Sequence, residues 1–306
     1  MWHQTSYPVL IDTDIGDDVD DAFALALALR LPVLRVCGIT TVAGPVKQRA
    51  RLAALVAAAA GQNNIPIAPG SSAMRDGRPG PAKFSHAPLL ADAPPLATAP
   101  DAVGLILACA RTEQPLTIIA LGPLTNIAAA LDRDPALARR ARVVAMAGTL
   151  GPPYPDWNLR CDPAAARRVL ASGIPITMVG MNVTLRTKMR AAQLHSLFAS
   201  RDPLARLLAR CVLAWRTWKR RVPFLHDVLT VAVAADPTLA ALERRHVRVG
   251  WRGFSLATRA GRANAPVCRD FDAARYNAML EGALRLAPPA SPPECGAWCR
   301  LLRLLA

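Results

Sequence analysis

The chain has 306 residues, 52% of them hydrophobic and 19% charged. This size and apolar content allow one or two domains with a large core and exclude intrinsic disorder. The 37 Lys and Arg against 22 Asp and Glu give a net charge of +15, but the basic residues are scattered and aromatics reach only 5%, so no nucleic-acid partner is expected.

In chain order, PVLID (8–12) reads as a short buried strand, and the apolar stretch 22–31 is long enough for a helix. LRVCGITTV (34–42) is strand-like, and residues 46–61 read as a helix stopping at Gly61. IPIAPG (65–70) and LTIIALG (116–122) read as strands, the second followed by a helix opening near Pro123. RVVAMAG (142–148) and IPITMVG (174–180) repeat the pattern, with 162–173 as the helix between them, opened by Asp162-Pro163 and closed by Gly173. This alternation predicts an α/β fold: an open, mostly parallel sheet with helices on both faces, binding ligands beyond the carboxyl ends of its strands. Residues 69–100 lack periodicity and read as a lid or binding loop. Residues 287–306 read as a linker and a short C-terminal helix, leaving 1–286 as one domain.

The seven cysteines are scattered and form no CxxC, which excludes a disulfide scaffold and fits a reducing, cytoplasmic setting. No apolar run reaches the roughly 18 residues of a membrane span. The opening residues have no basic start and meet acids within a dozen positions, so neither secretion nor membrane association is expected.

The chemistry concentrates after the first strand. Asp12, Asp14, Asp17, Asp18, Asp20 and Asp21 place six carboxylates within ten residues of an otherwise basic chain. Carboxylates this close raise one another's pKa unless a cation or a helix N-terminus compensates. A hard cation with oxygen ligands, calcium or magnesium, suits them better than zinc, since no Cys or paired His lies nearby. The spacing is not that of an EF-hand, because the twelfth position falls in an apolar helix rather than on a Glu.

At these residues the chain resembles the inosine–uridine-type nucleoside hydrolases. LIDTDIGDDVDDAFALALAL (10–29) is similar to their N-terminal signature, ALGPLTNIAAAL (120–131) to their middle motif, DWNLRCDPAAA (156–166) to their substrate-binding segment, and HDVLTVAVAADP (226–237) to their C-terminal motif. The resemblance implies a Rossmann-like nucleoside hydrolase fold and calcium-dependent hydrolysis of the N-glycosidic bond of a ribonucleoside. A water is deprotonated by an Asp and attacks the anomeric carbon through an oxocarbenium-like transition state. By the same resemblance, Asp14, Asp21 and Asp227 are metal ligands, and Thr125 is one through its backbone carbonyl. Asp20 is the general base, with Asp18 as the alternative because this loop is two residues longer than the common form. Asp12 touches metal or ribose, Asn158 binds the ribose, Asp156 stands for the substrate-binding Glu, Trp157 stacks on the base or walls the pocket, and His226 protonates the leaving base. The family also implies a homodimer or homotetramer.

Three departures weaken the ribose shell. Pro45 stands where the family carries an Asn, Asp156 replaces a Glu, and a second Asn expected before Asp156 is missing from GTLGPPYPDWN. They define the alternative reading, a catalytically weakened relative that binds a ribosyl ligand or acts as a regulatory or interaction protein. Outside the motifs, His86 reads as a solvated loop His, Trp215 and Trp218 as core or interface, Tyr276 as packing, and Cys37, Cys109 and Cys211 as small hydrophobes.

Overall fold

The computed structural model describes residues 6–94, 101–151, 156–217, 219 and 221–286. The expectations for Trp218 and for 287–306 lie outside the described residues. The elements, in chain order, are β1 (Tyr7–Thr13), α1 (Asp20–Arg30), β2 (Leu34–Thr41), α2 (Val46–Ala59), β3 (Ile67–Pro69), α3 (Ala102–Thr112), β4 (Leu116–Ala120), α4 (Thr125–Arg133), α5 (Leu137–Arg140) and β5 (Ala141–Met146). They continue with α6 (Trp157–Cys161), α7 (Pro163–Ala171), β6 (Ile176–Val179), α8 (Met181–Thr184), α9 (Ala191–Ala199), α10 (Pro203–Arg216), α11 (His226–Ala235), β7 (Ala240–Val249), β8 (Ser255–Thr258), β9 (Ala265–Phe271) and α12 (Ala273–Ala283).

The strands form one sheet in the order β3-β2-β1-β4-β5-β6-β9-β7-β8. Pairing is parallel from β3 through to β9, and only β7 is reversed, pairing antiparallel with β9 on one side and β8 on the other. The expected open, mostly parallel sheet is therefore present, with an antiparallel edge that the sequence reading did not anticipate. That edge was missed because β7 (AALERRHVRV) is rich in Arg and lacks the apolar run of the inner strands.

Strand alternation divides the core. Val9 and Ile11 of β1 point into one cluster, shared with α1, α10, α11 and α12. Leu10 points into the other, shared with α3, α4 and α7. Helices α1 and α11 are apolar almost all round and pack side by side against the sheet, so both are buried along nearly their whole length. Trp215 is buried in the same cluster, and Tyr276 packs edge-on against Phe271, as expected for both.

The position of β1 fixes where a ligand binds. The chain leaves β1 towards β2 on one side and returns to β4 on the other, a topological switch point that opens a crevice at the strand ends. The acidic loop starts there. Its turn at Gly16 has φ +122°, and the ring of Phe84 lies where a Cβ would stand. The segment around Phe84 is thus a cover on the acidic loop rather than a free flap. The Ser85 amide donates to the Gly16 carbonyl at 2.8 Å, and the Ser85 hydroxyl to the Asp17 carbonyl at 2.9 Å. His86 is fully buried, with Nδ1 2.9 Å from the Gly16 carbonyl and Nε2 3.2 Å from that of Cys211, which corrects the solvated reading.

Gly16→Ala combines a disfavoured backbone conformation with overlap against Phe84. It should lower stability by about 2–3 kcal/mol, read as a fall in Tm. An unchanged Tm would show that Phe84 does not cover the loop in solution.

Candidate active site

The site is built where two helix N-termini meet the end of β1. Asp20 and Asp21 occupy the first turn of α1, and Asp227 the first turn of α11. Both helices direct the positive ends of their dipoles at these carboxylates. Asp20, Asp21 and Asp227 each offer an oxygen, all within 4.8 Å of one another, and all three side chains are buried. Asp14, at the end of β1, lies over Gly122, where any Cβ would sit about 2.9 Å from its Oδ1.

The electrostatics show how uncompensated these groups are. Burial pushes the Asp20 carboxyl up to about 8, with repulsion from Asp18 adding to it. Burial and the neighbouring Asp20 push Asp21 up to about 7, against the hydroxyl of Thr13, which donates to it. Burial holds Asp14 and Asp227 well above the usual carboxylate range, with Asp21 the main repelling neighbour of Asp14 and Asp20 that of Asp227. Four buried acids that resist ionisation, all of them oxygen donors, form a site suited to a hard divalent cation.

Arg49 holds the loop in place. Its side chain is fully buried, and it donates from Nε to the Ala43 carbonyl at 2.7 Å and from Nη1 to the carbonyls of Asp14 and Ile15. Nη2 pairs with Asp17 at 3.1 Å. The sequence reading missed it. The available signal was its place on the apolar face of α2, beside Val46, Ala50 and Ala53, where an unpaired charge is not tolerated. Asn126, also missed, donates to Asp12 Oδ1 at 2.8 Å and to the Thr41 carbonyl, tying α4 to the ends of β1 and β2.

A cavity of about 370 Å3 opens above the acids, within the usual range for small-ligand sites. Asp14, Asp18, Asp20, Asp21 and Asp227 line it, as do Asp156, Trp157, Asn158 and His226 from the other expected motifs. Asp12, Thr125 and Pro45 are not part of its lining. Asp12 is buried and bound by the Thr40 hydroxyl and Asn126, with Oδ2 unpartnered, and burial pushes it up to about 6. The Thr125 hydroxyl donates to Asp162 at 2.8 Å. Pro45 begins α2, and its carbonyl accepts the amides of Gln48 and Arg49.

The opposite wall is the short helix α6. Asp156 caps it, accepting from the Leu159 amide at 2.8 Å, while its buried Oδ2 has no partner; burial pushes it up to about 7. Asn158 donates both amide hydrogens inward, to the Leu121 carbonyl at 2.6 Å and the Met146 carbonyl at 3.0 Å. This fixes α6 to the ends of β4 and β5 and leaves Oδ1 for a ligand. Trp157 is 53% exposed and forms part of the cavity rim.

His226 opens α11. Its Nδ1 lies 2.9 Å from the Thr184 hydroxyl, and its ring stacks on Phe224 at 5.7 Å. Burial pulls its pKa down to about 4, so the imidazole is neutral at pH 7. Asp18 differs from the buried acids: it pairs with Lys219 at 3.0 Å and accepts from the Val19 amide. Lys83 and Lys219, which line the same cavity, were not anticipated from the sequence.

Known proteins are similar to this chain over most of its length. The family model described as inosine-uridine preferring nucleoside hydrolase matches residues 9–278. Uridine nucleosidase 1 of Arabidopsis thaliana is 32% identical over 269 residues, covering 81% of this chain and 80% of the relative. The pyrimidine-specific ribonucleoside hydrolase RihA of Citrobacter koseri is 33% identical over 276 residues, covering 80% and 85%. A solved plant nucleoside hydrolase superposes with a TM-score of 0.80 at 26% identity, covering 93% of this chain and all of that one. The chain therefore belongs to the inosine-uridine preferring nucleoside hydrolase family, and it is a hydrolase acting on N-glycosyl compounds.

Proposed function

We propose that this protein hydrolyses the N-glycosidic bond of a ribonucleoside with the help of one calcium ion held by Asp14, Asp21 and Asp227, with the backbone carbonyl of Thr125 as a further ligand. The observation that carries this reading is the convergence of buried, charge-starved carboxylates from β1, α1 and α11 on one cavity. When bound, the cation supplies charge neutralisation, lowers the pKa of a water and orients the ribose hydroxyls. The similarity to uridine and pyrimidine hydrolases supports a pyrimidine ribonucleoside as the first substrate to test.

The chain's own groups do the rest. Asp20 is the general base. Its support is its position between Asp21 and Asp227 in the cavity, whereas Asp18 is paired with Lys219 at the rim. Asp20 takes a proton from the attacking water, whose oxygen bonds to the anomeric carbon while the bond to the base nitrogen breaks. The electron pair leaves with the base, which takes up a proton from solvent while Asp20 returns its own to solvent, so that one water is consumed overall. A neutral His226, its Nδ1 held by Thr184, donates a hydrogen bond from Nε2 to the departing base rather than storing a proton for it. Asp156 and the Oδ1 of Asn158 orient the ribose from the α6 side. The five described cysteines are free thiols, which supports a reducing compartment such as the cytoplasm.

Purified protein with calcium should release free base from at least one member of a ribonucleoside panel, with uridine first. Release from none, with calcium still bound, would leave a ribosyl-binding protein in place of an enzyme. Asp20→Asn should lower kcat roughly 100- to 10,000-fold with calcium binding retained, and Asp18→Asn should change it less than about tenfold. The reverse pattern would move the base to Asp18.

The raised acids also predict the pH dependence of stability. Between the ordinary carboxylate range and about 8, the native state keeps protons that the unfolded chain has lost, so chelator-treated protein should lose stability as pH rises through that window. Calcium binds the ionised acids, so the Tm gain on adding it should be larger at pH 8 than at pH 5. A gain independent of pH, read by thermal shift, would place the ion elsewhere.

A further inference from the structure

A second cavity lies on the far side of α6. It measures about 650 Å3 and is lined by Asp76, Arg78, Arg160, Trp251, Arg252 and Phe254. Its floor is the turn between β7 and β8. Gly253, at φ +80°, sits directly on the backbone of Leu159 and Arg160, leaving no room for a Cβ. Arg167 ties the same turn to α7 by donating to the Gly250 carbonyl at 3.2 Å. The wall therefore consists of a hairpin tip locked onto the helix whose other side carries Asp156, Trp157 and Asn158.

Its chemistry is the reverse of the catalytic cavity. Three guanidiniums face one carboxylate, and that carboxylate, Asp76, is paired with Arg78 at 2.6 Å. Among the described residues, neither Arg160 nor Arg252 has a carboxylate partner. Arg252 instead lies 4.3 Å over the ring of Trp251. Trp251 is 74% exposed, unusual for the largest apolar side chain, and Phe254 beside it is 40% exposed. Unpaired guanidiniums next to an open indole form a surface that takes an anion and a flat ring together.

We propose that this cavity binds a nucleoside monophosphate, with the phosphate on Arg160 and Arg252 and the base stacked on Trp251. Charge sorts the ligands between the two cavities. The catalytic cavity is lined by seven carboxyl groups against two lysines and offers a phosphate no guanidinium, whereas a neutral nucleoside enters it without a charge penalty. The second cavity carries a net positive charge and gives an uncharged nucleoside nothing beyond stacking. Occupancy would bind the hairpin tip to Arg160 and so bear on α6, the wall shared with the catalytic cavity. The proposal does not depend on turnover, since binding is measured directly.

The test is calorimetric titration of the full chain, calcium-loaded, with uridine and adenosine monophosphates, alongside inorganic phosphate and uridine. One site per chain is expected, at least tenfold weaker in Arg252→Gln and in Trp251→Ala, weaker at high salt, and undisturbed by excess uridine. Both variants should keep the wild-type Tm and base release, since neither side chain reaches the catalytic cavity. The proposal is overturned by any of four results: no saturable binding, binding that survives both substitutions, displacement by uridine, or inorganic phosphate binding as tightly as the nucleotide. It is also overturned if sedimentation shows Trp251→Ala breaking up an oligomer, because a second copy then covers this face.

Discussion

Burial of mutually repelling carboxylates at the mouth of β1 is the constraint on which the rest of this structure depends. A chain that buries Asp14, Asp20, Asp21 and Asp227 around one point works against both desolvation and like charge. The fold answers with fixed dipoles, by ending two buried helices on the cluster, and with one guanidinium that grips the loop from beneath. Neither neutralises the oxygens that face the cavity. Arg49 spends most of its donors on carbonyls and its ion pair on Asp17, so it fixes the geometry of the loop without cancelling the charge of the site. The uncompensated negative charge that remains suits a hard cation.

The residues that depart from the family's ribose shell each have a structural part in this fold. Pro45 cannot offer an amide, but its place in the fold is the start of α2, where its carbonyl takes the amide of Arg49. Its contribution runs through the loop rather than through the ligand. Asn158 likewise uses its donors on the strand ends and presents only an acceptor outward. The shortened carboxylate arm of Asp156 is pinned by capping α6, so the wall is rigid even where its reach is reduced. Pre-organisation of this kind favours binding geometry over contact number.

The inner fold was legible in the sequence because buried parallel strands are apolar throughout, and β1, β4, β5 and β6 read as such within a residue or two. The edge hairpin was not legible, because β7 carries Glu243, Arg244 and Arg245 in succession and Arg248 beyond them, breaks the apolar alternation and buries little. Among site residues, the motif carboxylates were visible by concentration alone. Arg49, Lys219 and the buried state of His86 were not, because each depends on contacts between segments far apart in the chain: Arg49 with Asp14, Lys219 with Asp18, His86 with Cys211. Periodicity reports which face is buried, but not what a polar group on that face will meet.

Net charge and local charge point in opposite directions in this molecule, and the difference has a physical consequence. A surface of net charge +15 repels free cations at long range, yet screening limits that effect to roughly 8 Å at physiological ionic strength. Inside the cavity the acids dominate, and the raised pKa values of Asp14, Asp20, Asp21 and Asp227 mean that an arriving cation would displace protons rather than enter a fully charged site. Affinity for the ion is therefore tied to pH by the burial that builds the site. Asp14, Asp20, Asp21 and Asp227 cannot be this buried and this close without favouring their protonated forms in the ion's absence, so the proton would compete with an ion for these four.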